Sequence, residues 1–512
     1  MPLSAVRDMS DIRRGFALLA GGGAIGKIVA IAREIVFAAA FGTGSVATGF
    51  RVATTASLVP GNLVSGDLIS AAFAPNYARD MARDEHAAKR LLSAYTLWIT
   101  ALLGAVAAAV YCMRLHIVRA IIPGLPATYH AVATDFLATL AWMIPLYGVA
   151  TISAYALSAR GTYWANALRP AIQSVGLLGG TAVAVATGEV RWLAWGFVFA
   201  WVAYTGACVN ALRVAGSYAR MSRSDAWTAR SLVASGFRVV IPLLWLTIGV
   251  QASIICERIF ASHGPVGLVA AVDYARTVSE SVISVVAVPL GILGLTHLPG
   301  LARERARDVV DGMIRFICVA VVPISCAIWT FSREITETLF ARGSFDERDA
   351  VITADVLRGL SAGLLFQVVA YVLVRVLTSH GENRLVMKWN LVGLAVQVGV
   401  QGLLTPMLGG IAIGIGASLN GLIVVVALGI HTRTLRAIRG FASAWLPLIA
   451  LTILIDALSV GFFPRVGFLV CSFIANISLV PSARRQVARV LRAARAMRPT
   501  GRKAPALSGT VG

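Results

Sequence analysis

The chain has 512 residues, of which 58% are hydrophobic and 13% are charged, and its mean hydropathy is +0.78. A soluble domain carries about 25% charged residues, so this composition excludes an ordinary soluble protein and predicts a polytopic membrane protein. The formal net charge is +21, but no basic domain with interleaved aromatic residues accompanies it, which argues against a nucleic-acid partner.

Apolar windows of about 20 residues predict an all-α fold of about 14 transmembrane helices. The predicted spans are 16–41, 46–75, 91–112, 131–158, 163–187, 191–213, 237–262, 267–300, 312–331, 351–379, 386–408, 409–431, 443–463 and 465–482.

Lysine and arginine are concentrated in alternate loops, for example at 79–90, 220–230 and 433–439, whereas the loops at 42–45 and 262–267 contain neither. Short cytoplasmic loops carry the excess of basic residues in inner-membrane proteins. We therefore expect a multi-pass protein of the bacterial cytoplasmic membrane, with both termini in the cytoplasm.

The sequence also repeats internally. HIVRAIIPGLPATYHAVATDFLATL, from His116, resembles EITETLFARGSFDERDAVITADVLRGL, from Glu334. Both copies fall in spans of the same predicted orientation, which predicts two six-helix lobes related by a pseudo-two-fold axis along the membrane normal, with two further helices after them. The predicted divisions are 1–235 (first lobe), 236–440 (second lobe), 441–483 (last two spans) and 484–512 (basic cytoplasmic tail).

The first span, FALLAGGGAIGKIVAIAREIVFAAAF, contains Lys27, Arg33 and Glu34. A charge near the centre of a spanning helix costs roughly 2.5–3.5 kcal/mol, and such groups persist when they face a cavity or a partner charge. Lys27 and Arg33 share a broad face, which we expect to line a cavity for an anionic substrate. Glu34 is expected to point about 100° away from Arg33 and need not neutralise it.

The second span contains Arg51, Pro60, Gly61, Gly66 and Asp67. Proline and glycine at membrane depth unwind a helix, and broken helices mark binding sites in transporters. The alternative is a kink that only helps packing, with Arg51 extending outward to the interface.

Charges recur in the second half of the chain. Glu257 and Arg258 lie close to the outer end of their span and are expected at the interface. Arg276 either pairs with Glu280, four residues later on the same face, or joins the first-span cations across the cavity. Arg375 is another arginine inside an apolar stretch, and Arg169 is expected near an interface.

The expected cavity therefore holds more cations than anions. Arginine binds phosphate bidentately and lysine acts as a point charge, so we expect a phosphate-bearing anionic substrate. The predicted substrate-binding residues are Lys27, Arg33, Arg51, Asp67, Arg276, Glu280 and Arg375.

No HExxH, GxSxG, Walker A or paired-cysteine motif is present, so no catalytic centre, ATP-driven pump or metal site is predicted. We expect a protein that is not an enzyme and that needs no cofactor; the sequence does not identify a coupling ion.

Four stretches resemble the lipid II flippase family (MurJ/MviN) of the multidrug/oligosaccharidyl-lipid/polysaccharide exporter superfamily. They are AREIVFAAAFGTGSVATGFRVA at Ala32–Ala53, SAAFAPNYARD at Ser70–Asp80, LFARGSFDERDAVITADVLRGLSAGL from Leu339 and VLTSHGENR from Val376. The resemblance covers about residues 15–440. It implies a monomer in the bilayer whose cationic cavity binds the pyrophosphate of a polyprenyl-linked saccharide and moves it by alternating access.

The basic positions of that family fall on Lys27, Arg33 and Arg276, with the following acid at Glu280. Three charged positions of the family fall instead on Gly49, Gly61 and Gly66, although Asp67 is adjacent to the last. These departures leave the substrate and the gating pairs open.

The favoured function is a lipid II flippase. The alternatives are a flippase for an O-antigen or exopolysaccharide repeat unit, a drug/cation antiporter and a membrane-embedded glycosyltransferase or ligase. An antiporter predicts a cavity dominated by carboxylates, and a transferase predicts catalytic carboxylates or large outer loops.

Overall fold

The computed structural model describes residues 26–68, 73–219, 245–297, 303–434, 445, 447–450, 452–454, 462–479 and 484. This part of the chain contains helices and turns and no strand. The helices are α1 (26–41), α2 (Ser45–Leu68), α3 (Ala74–Arg83), α4 (Glu85–Ile121), α5 (Ala127–Leu140), α6 (Met143–Ala159), α7 (Trp164–Thr187), α8 (Trp192–Val214), α9 (245–262), α10 (Leu268–His297), α11 (Arg303–Thr330), α12 (Ser332–Phe340), α13 (Glu347–Ala362), α14 (Leu364–Ser379), α15 (Asn383–Leu408), α16 (Gly410–Thr432) and α17 (Phe462–Leu479).

Within the described residues, six helices are long and apolar enough to cross a membrane, and eight spans result if each of two bent helix pairs counts as one. The six include α4, α7, α8, α15 and α16. The all-helical membrane fold is therefore confirmed, whereas the number of 14 spans stays a prediction.

The two copies of the sequence repeat fold alike. Helices α5 and α6 meet at 45°, and α13 and α14 meet at 51°. After each pair, the chain turns at a glycine in the left-handed region, Gly161 (φ 78°) and Gly381 (φ 80°). In the first copy Pro145 cannot donate a backbone hydrogen bond to Ala141, which explains the break there. In the second copy, Gly363 lies so close to Ser418 that a Cβ would come within 2.3 Å of it.

Helix α2 does not unwind as predicted. It remains helical from Ser45 to Leu68, through Pro60 and Gly61. A proline removes one intrahelical hydrogen bond, and a helix at membrane depth tolerates this where neighbouring helices pack around it. The tyrosine ring of Tyr147 on α6 provides such packing, because it lies against Gly61.

The helices pack in two groups. Helices α2 to α8 contact one another, as do α10 to α16, and α2 contacts α10 between the groups. Helix α1 joins the first group, since the ring centroids of Phe37 and Phe50 lie 5.7 Å apart. Helix α9 joins the second group through hydrogen bonds between Arg258 and α10. We call these the N-terminal group and the C-terminal group.

The loops at 42–44, 263–267 and 341–346 hold the two groups together at one end, which we call the closed end. Asp349 accepts hydrogen bonds from the Thr43 amide (3.0 Å) and the Thr43 hydroxyl. The Tyr274 hydroxyl donates to the Gly42 carbonyl at 2.7 Å. Two further bonds run from the Ser344 amide to the Ala39 carbonyl (2.8 Å) and from the Gly124 amide to the Ser262 hydroxyl (3.2 Å). The sequence predicts that this end faces outward.

Candidate functional site

A buried carboxylate on α1 organises the charges of the N-terminal group. Glu34 is 1% exposed and accepts hydrogen bonds from Arg33 Nη2 (2.5 Å) and from Arg51 Nη2. Glu34 therefore does pair with Arg33, although the sequence did not require it. A long arginine side chain can bend along its helix to an adjacent residue, and a carboxylate at this depth is stable only when it is paired.

Arg51 connects this carboxylate to the C-terminal group. Its guanidinium lies over the rings of Phe37 and Tyr274, at 4.9 and 5.6 Å from their centroids. Arg51 Nε is 3.6 Å from Asp273 Oδ2, and its side chain is 12% exposed. The alternative in which Arg51 extends outward is thus excluded, because the guanidinium is enclosed by aromatic rings and carboxylates.

Asp273 continues the chain of charges into α9. It accepts a hydrogen bond from Arg258 Nη2 at 2.6 Å, and Arg258 Nη1 donates to the Val269 carbonyl at 2.7 Å. Glu257 and Arg258 are 2% and 6% exposed, so the prediction that they lie at the interface is wrong. The adjacent helix α10 covers both side chains and supplies their partners.

Arg276 and Glu280 find partners on other helices. Arg276 Nη2 is 2.5 Å from Glu257 Oε2, which also accepts from Gln401 Nε2 at 3.2 Å. Glu280 Oε2 is 3.6 Å from Lys27 Nζ on α1. Of the two open alternatives for Arg276, the pair with Glu280 on the same helix is not formed. The buried carboxylate of Glu257 needs a cation more than the half-exposed Glu280 does.

Five of the predicted site residues therefore belong to a cluster of ion pairs on α1, α2, α9 and α10. They are Lys27, Arg33, Arg51, Arg276 and Glu280. Arg375 is exposed and lies over Tyr371 of its own helix at 5.2 Å, so it takes no part in this cluster. The side chain of Asp67 lies outside the described part of the structure.

Sequence reasoning did not assign Glu257, Arg258 and Asp273 to this cluster. Their signal was present, since charged residues occur in two consecutive apolar spans. With them, the cluster has five cations and four carboxylates. The expected excess of cations is thus small, and each cation already has an internal partner.

The glycines that replace charged family positions are closely packed. An ideal Cβ on Gly49 would lie 2.9 Å from Val132 Cγ1 on α5, and one on Gly61 would lie 3.2 Å from the Tyr147 ring. A side chain at Gly49 would meet the backbone of α5 as well as Val132, and one at Gly61 would require the Tyr147 ring to shift. The close packing of α2 against α5 and α6 therefore favours glycine at these two positions.

A cavity of about 430 Å³ lies within the C-terminal group and reaches Arg276 and Glu280. Its polar lining includes the carboxamides of Gln367, Asn390, Gln397 and Asn420. Carboxamides donate and accept hydrogen bonds without carrying charge, so the cavity suits a neutral polar group such as a sugar. Among the described residues, no three His, Cys, Asp or Glu side chains are grouped so that they could hold a metal ion.

A family model described as "Lipid II flippase MurJ" matches residues 37–477. A protein of Rhizobium tropici named "Probable lipid II flippase MurJ" is 25% identical over 432 residues, covering 78% of this chain and 77% of its own length. A Synechocystis protein of the same name is 25% identical over 387 residues, covering 70% of each chain.

The fold is similar to a solved structure described as "Lipid II flippase MurJ, inward closed conformation", with a TM-score of 0.77, 14% identity and coverage of 90% of this chain and 98% of that one. An inward-facing multidrug resistance MATE family transporter gives a TM-score of 0.58 at 13% identity, covering 82% of this chain and 94% of its own. Since the family model spans most of the sequence, the chain belongs to the lipid II flippase MurJ family.

Proposed function

We propose that this protein moves lipid II, a polyprenyl-pyrophosphate-linked saccharide, from the inner to the outer leaflet of the bacterial cytoplasmic membrane. One observation carries the proposal beyond family membership: two ion pairs join the groups, Lys27 with Glu280 and Arg51 with Asp273. Arg33 lies on the same helix as Lys27, Arg276 lies on the same helix as Glu280, and each forms an ion pair of its own. Cations that are paired with carboxylates at membrane depth can form a binding site in which a substrate anion replaces those carboxylates. The protein acts as a transporter and not as an enzyme.

The pairing pattern supports such an exchange. Glu34 is held by Arg51 as well as by Arg33, and Glu257 is held by Gln401 as well as by Arg276. Arg33 can therefore turn to a pyrophosphate while Arg51 still neutralises Glu34. If Arg276 turns, Glu257 keeps the hydrogen bond from Gln401 but loses its cation. Removal of the sole partner of a buried charge would cost about 3–5 kcal/mol. Arginine binds phosphate oxygens bidentately, so these two residues are the proposed principal ligands.

Lys27 and Glu280 form the weakest pair. They are 3.6 Å apart, and their side chains are 27% and 56% exposed. An exposed pair contributes about 0–1 kcal/mol, so an arriving anion displaces Glu280 from Lys27 at little cost. We assign Lys27 to the first contact with substrate and Arg33 and Arg276 to the deeper contacts. Arg51 is assigned to holding Glu34 in place, and Asp67 remains a candidate substrate-binding residue.

Transport requires the closed end to open. In the proposed cycle two six-helix lobes, within a monomer of 14 helices, rock about the charge cluster with both termini in the cytoplasm. The closed end then faces outward, and the hydrogen bonds around Thr43 and Asp349 break when substrate is released. The energy source is an ion gradient or the membrane potential.

Complementation of a conditional lipid II flippase mutant tests the function. We expect the wild-type chain to restore growth, and Arg33→Ala and Arg276→Ala to fail at equal membrane abundance. Arg333→Ala is the matched control, because that arginine pairs with exposed Glu337 outside the cluster. Growth restored by both cluster variants would refute the site, and no growth with a well-inserted wild-type protein would refute the substrate.

The packing at Gly49 and Gly61 favours one second candidate. Without charges at these two positions, the chain is suited to a different saccharide on the same carrier, namely an O-antigen or exopolysaccharide repeat unit. Rescue of a mutant lacking that kind of flippase, together with failure in the lipid II assay, would select this alternative.

A further inference from the structure

Arg169 on α7 lies between two aromatic rings inside the N-terminal group. Its guanidinium carbon is 4.6 Å from the ring centroid of Tyr147 on α6 and 5.2 Å from that of Trp201 on α8. Trp201 is 1% and Tyr147 is 9% exposed. Arg169 itself is half-buried. The side chain is thus directed into the group at a fixed position.

Unlike the cations of the charge cluster, Arg169 has no carboxylate within ion-pair distance among the described residues. Stacking on aromatic faces leaves the N–H donors of a guanidinium free in its own plane, arranged for a bidentate oxyanion. A cation inside a membrane-spanning group is expensive without an anion. None of the described residues supplies such an anion, and an oxyanion that enters from outside the chain would supply it.

The surroundings of Arg169 provide a further polar group. The Tyr147 hydroxyl donates to Asn62 Oδ1 on α2 at 2.6 Å, so the ring that carries Arg169 is fixed to α2. This bond engages the acceptor oxygen of Asn62 and leaves the amide N–H donors for another acceptor. Because Gly61 has no side chain, the Tyr147 ring can pack directly against α2.

Arg169 lies at the level of the first cation of the charge cluster. The next residue, Pro170, packs against Gly26 beside Lys27, at 3.4 Å from an ideal Cβ on that glycine. Ser174, five residues further along α7, lies 3.4 Å from Arg33 Nη1. At a rise of about 1.5 Å per residue, Arg169 is about 7.5 Å further from the closed end than Ser174. It is therefore level with Lys27 and precedes Arg33 on a path from the end opposite the closed end.

We infer that Arg169 is a further substrate-binding residue, which receives a phosphate oxyanion of the lipid-linked saccharide before Arg33 and Arg276 do. The inference rests on the proposed function and adds a subsite to it. Arg169 with its two rings forms the subsite, at the level of Lys27.

The test uses the full-length protein in nanodiscs of neutral phosphatidylcholine and measures the Kd for undecaprenyl pyrophosphate and for uncharged undecaprenol. Arg169→Gln should weaken pyrophosphate binding about tenfold or more, because one charge-assisted contact is lost, and should leave undecaprenol binding unchanged. Arg114→Gln is the matched control. Arg114 lies over the ring of Tyr111 at the same distance of 4.6 Å, but near the C-terminal end of α4. We expect wild-type affinity for both lipids in that variant.

Each of four results would overturn either the proposed function or the assignment of Arg169 to the substrate. If the wild-type protein fails to bind undecaprenyl pyrophosphate, the proposed function fails. If the wild type and Arg169→Gln bind undecaprenyl pyrophosphate equally well, Arg169 has only a structural role in packing against α6 and α8. The inference about Arg169 then fails, and the proposed function stands. An equal loss of affinity for both lipids would show that the effect is not specific for the oxyanion. Competition by added phosphatidylglycerol in the wild type but not in Arg169→Gln would assign the subsite to bulk lipid headgroups.

A thermal melt of each variant accompanies these measurements. If Arg169→Gln does not fold, Arg169→Lys takes its place, because lysine keeps the charge over the rings but lacks the fork of donors. The inference then requires weaker binding of undecaprenyl pyrophosphate by several-fold, and unchanged affinity in a folded Arg169→Lys would overturn it.

Discussion

At the scale of single residues, the distribution of partners decides which cations are available to a substrate. Glu34 has a guanidinium on each of its two oxygens, and Glu257 has one guanidinium and one carboxamide. Glu34 can lose one guanidinium and keep the other, whereas Glu257 without Arg276 keeps only a hydrogen bond from Gln401. Arg258, in contrast, is bonded to both Asp273 and a backbone carbonyl and is 6% exposed. We therefore regard Arg258 as structural and Arg33 as exchangeable.

Glu34→Gln should destabilise the protein strongly. The substitution leaves Arg33 and Arg51 without their shared carboxylate, and breaking a buried ion pair costs about 3–5 kcal/mol. The melting temperature in detergent should fall by several degrees, as measured by intrinsic fluorescence.

Glu337→Gln provides the control for that experiment. Glu337 pairs with Arg333 at 2.7 Å, but the two side chains are 39% and 51% exposed, so the loss should stay within about 1 kcal/mol. Equal melting temperatures for the two variants would show that the Glu34 pairs contribute no more than surface pairs.

Arg33→Ala should separate stability from transport. Arg51 still holds Glu34 in this variant, so the melting temperature should change less than in Glu34→Gln, while rescue of a flippase-depleted strain should be lost. A variant that melts as early as Glu34→Gln would contradict the idea that Arg33 is free to exchange partners.

At the scale of elements, helices α7 and α8 approach each other through glycine. An ideal Cβ on Gly196 would lie 2.5 Å from Gly180 Cα, and one on Gly176 would lie 2.2 Å from Ala200 Cβ. Small residues allow backbones to come this close in membrane proteins. The close approach fixes α8 beside α7 and with it Trp201, one of the rings over Arg169.

Gly196→Ala should therefore lower the melting temperature, because the new methyl group meets the backbone of α7, and overpacking costs about 1–3 kcal/mol. Gly206→Ala on the same helix is the matched control, since no atom lies within 4 Å of its ideal Cβ. Alanine is the better helix former, so that variant should melt at or slightly above the wild-type temperature. A thermal melt in detergent with identical results for both variants would contradict the close packing of α7 on α8.

At the scale of the whole molecule, the closed end and the charge cluster are the two places where the groups meet in the described structure. At the closed end the groups are joined by hydrogen bonds around Thr43, Asp349 and Tyr274, in which at most one of the two partners is charged. Each such bond contributes about 0.5–3 kcal/mol. A few of them can close one end of a transporter and still be broken during a transport cycle.

Asp349→Ala should open the closed end more often. The variant removes the acceptor for both the amide and the hydroxyl of Thr43, so amide hydrogen exchange in residues 39–48 should rise about tenfold or more. Arg342→Gln lies in the same loop, but its guanidinium bonds within its own segment, to the Thr338 carbonyl, and exchange there should stay at the wild-type rate. Unchanged exchange in Asp349→Ala would mean that these bonds do not hold the groups together.

The sequence alone determined that this is a helical membrane protein, that its two halves share a repeated segment and that its first apolar segment carries unusual charges. These features follow from composition and local periodicity. The helix pairs α5–α6 and α13–α14, which follow the two copies, bend by similar angles, and the two-lobe arrangement stays a prediction. Only the tertiary structure decided which charges pair. Arg51 meets Asp273 across more than 200 residues, and Arg276 meets Glu257 on a neighbouring helix while leaving Glu280 to Lys27. Long side chains can reach several partners. Packing decides between these partners, because a carboxylate that is removed from water is stable only when it is paired with a nearby cation.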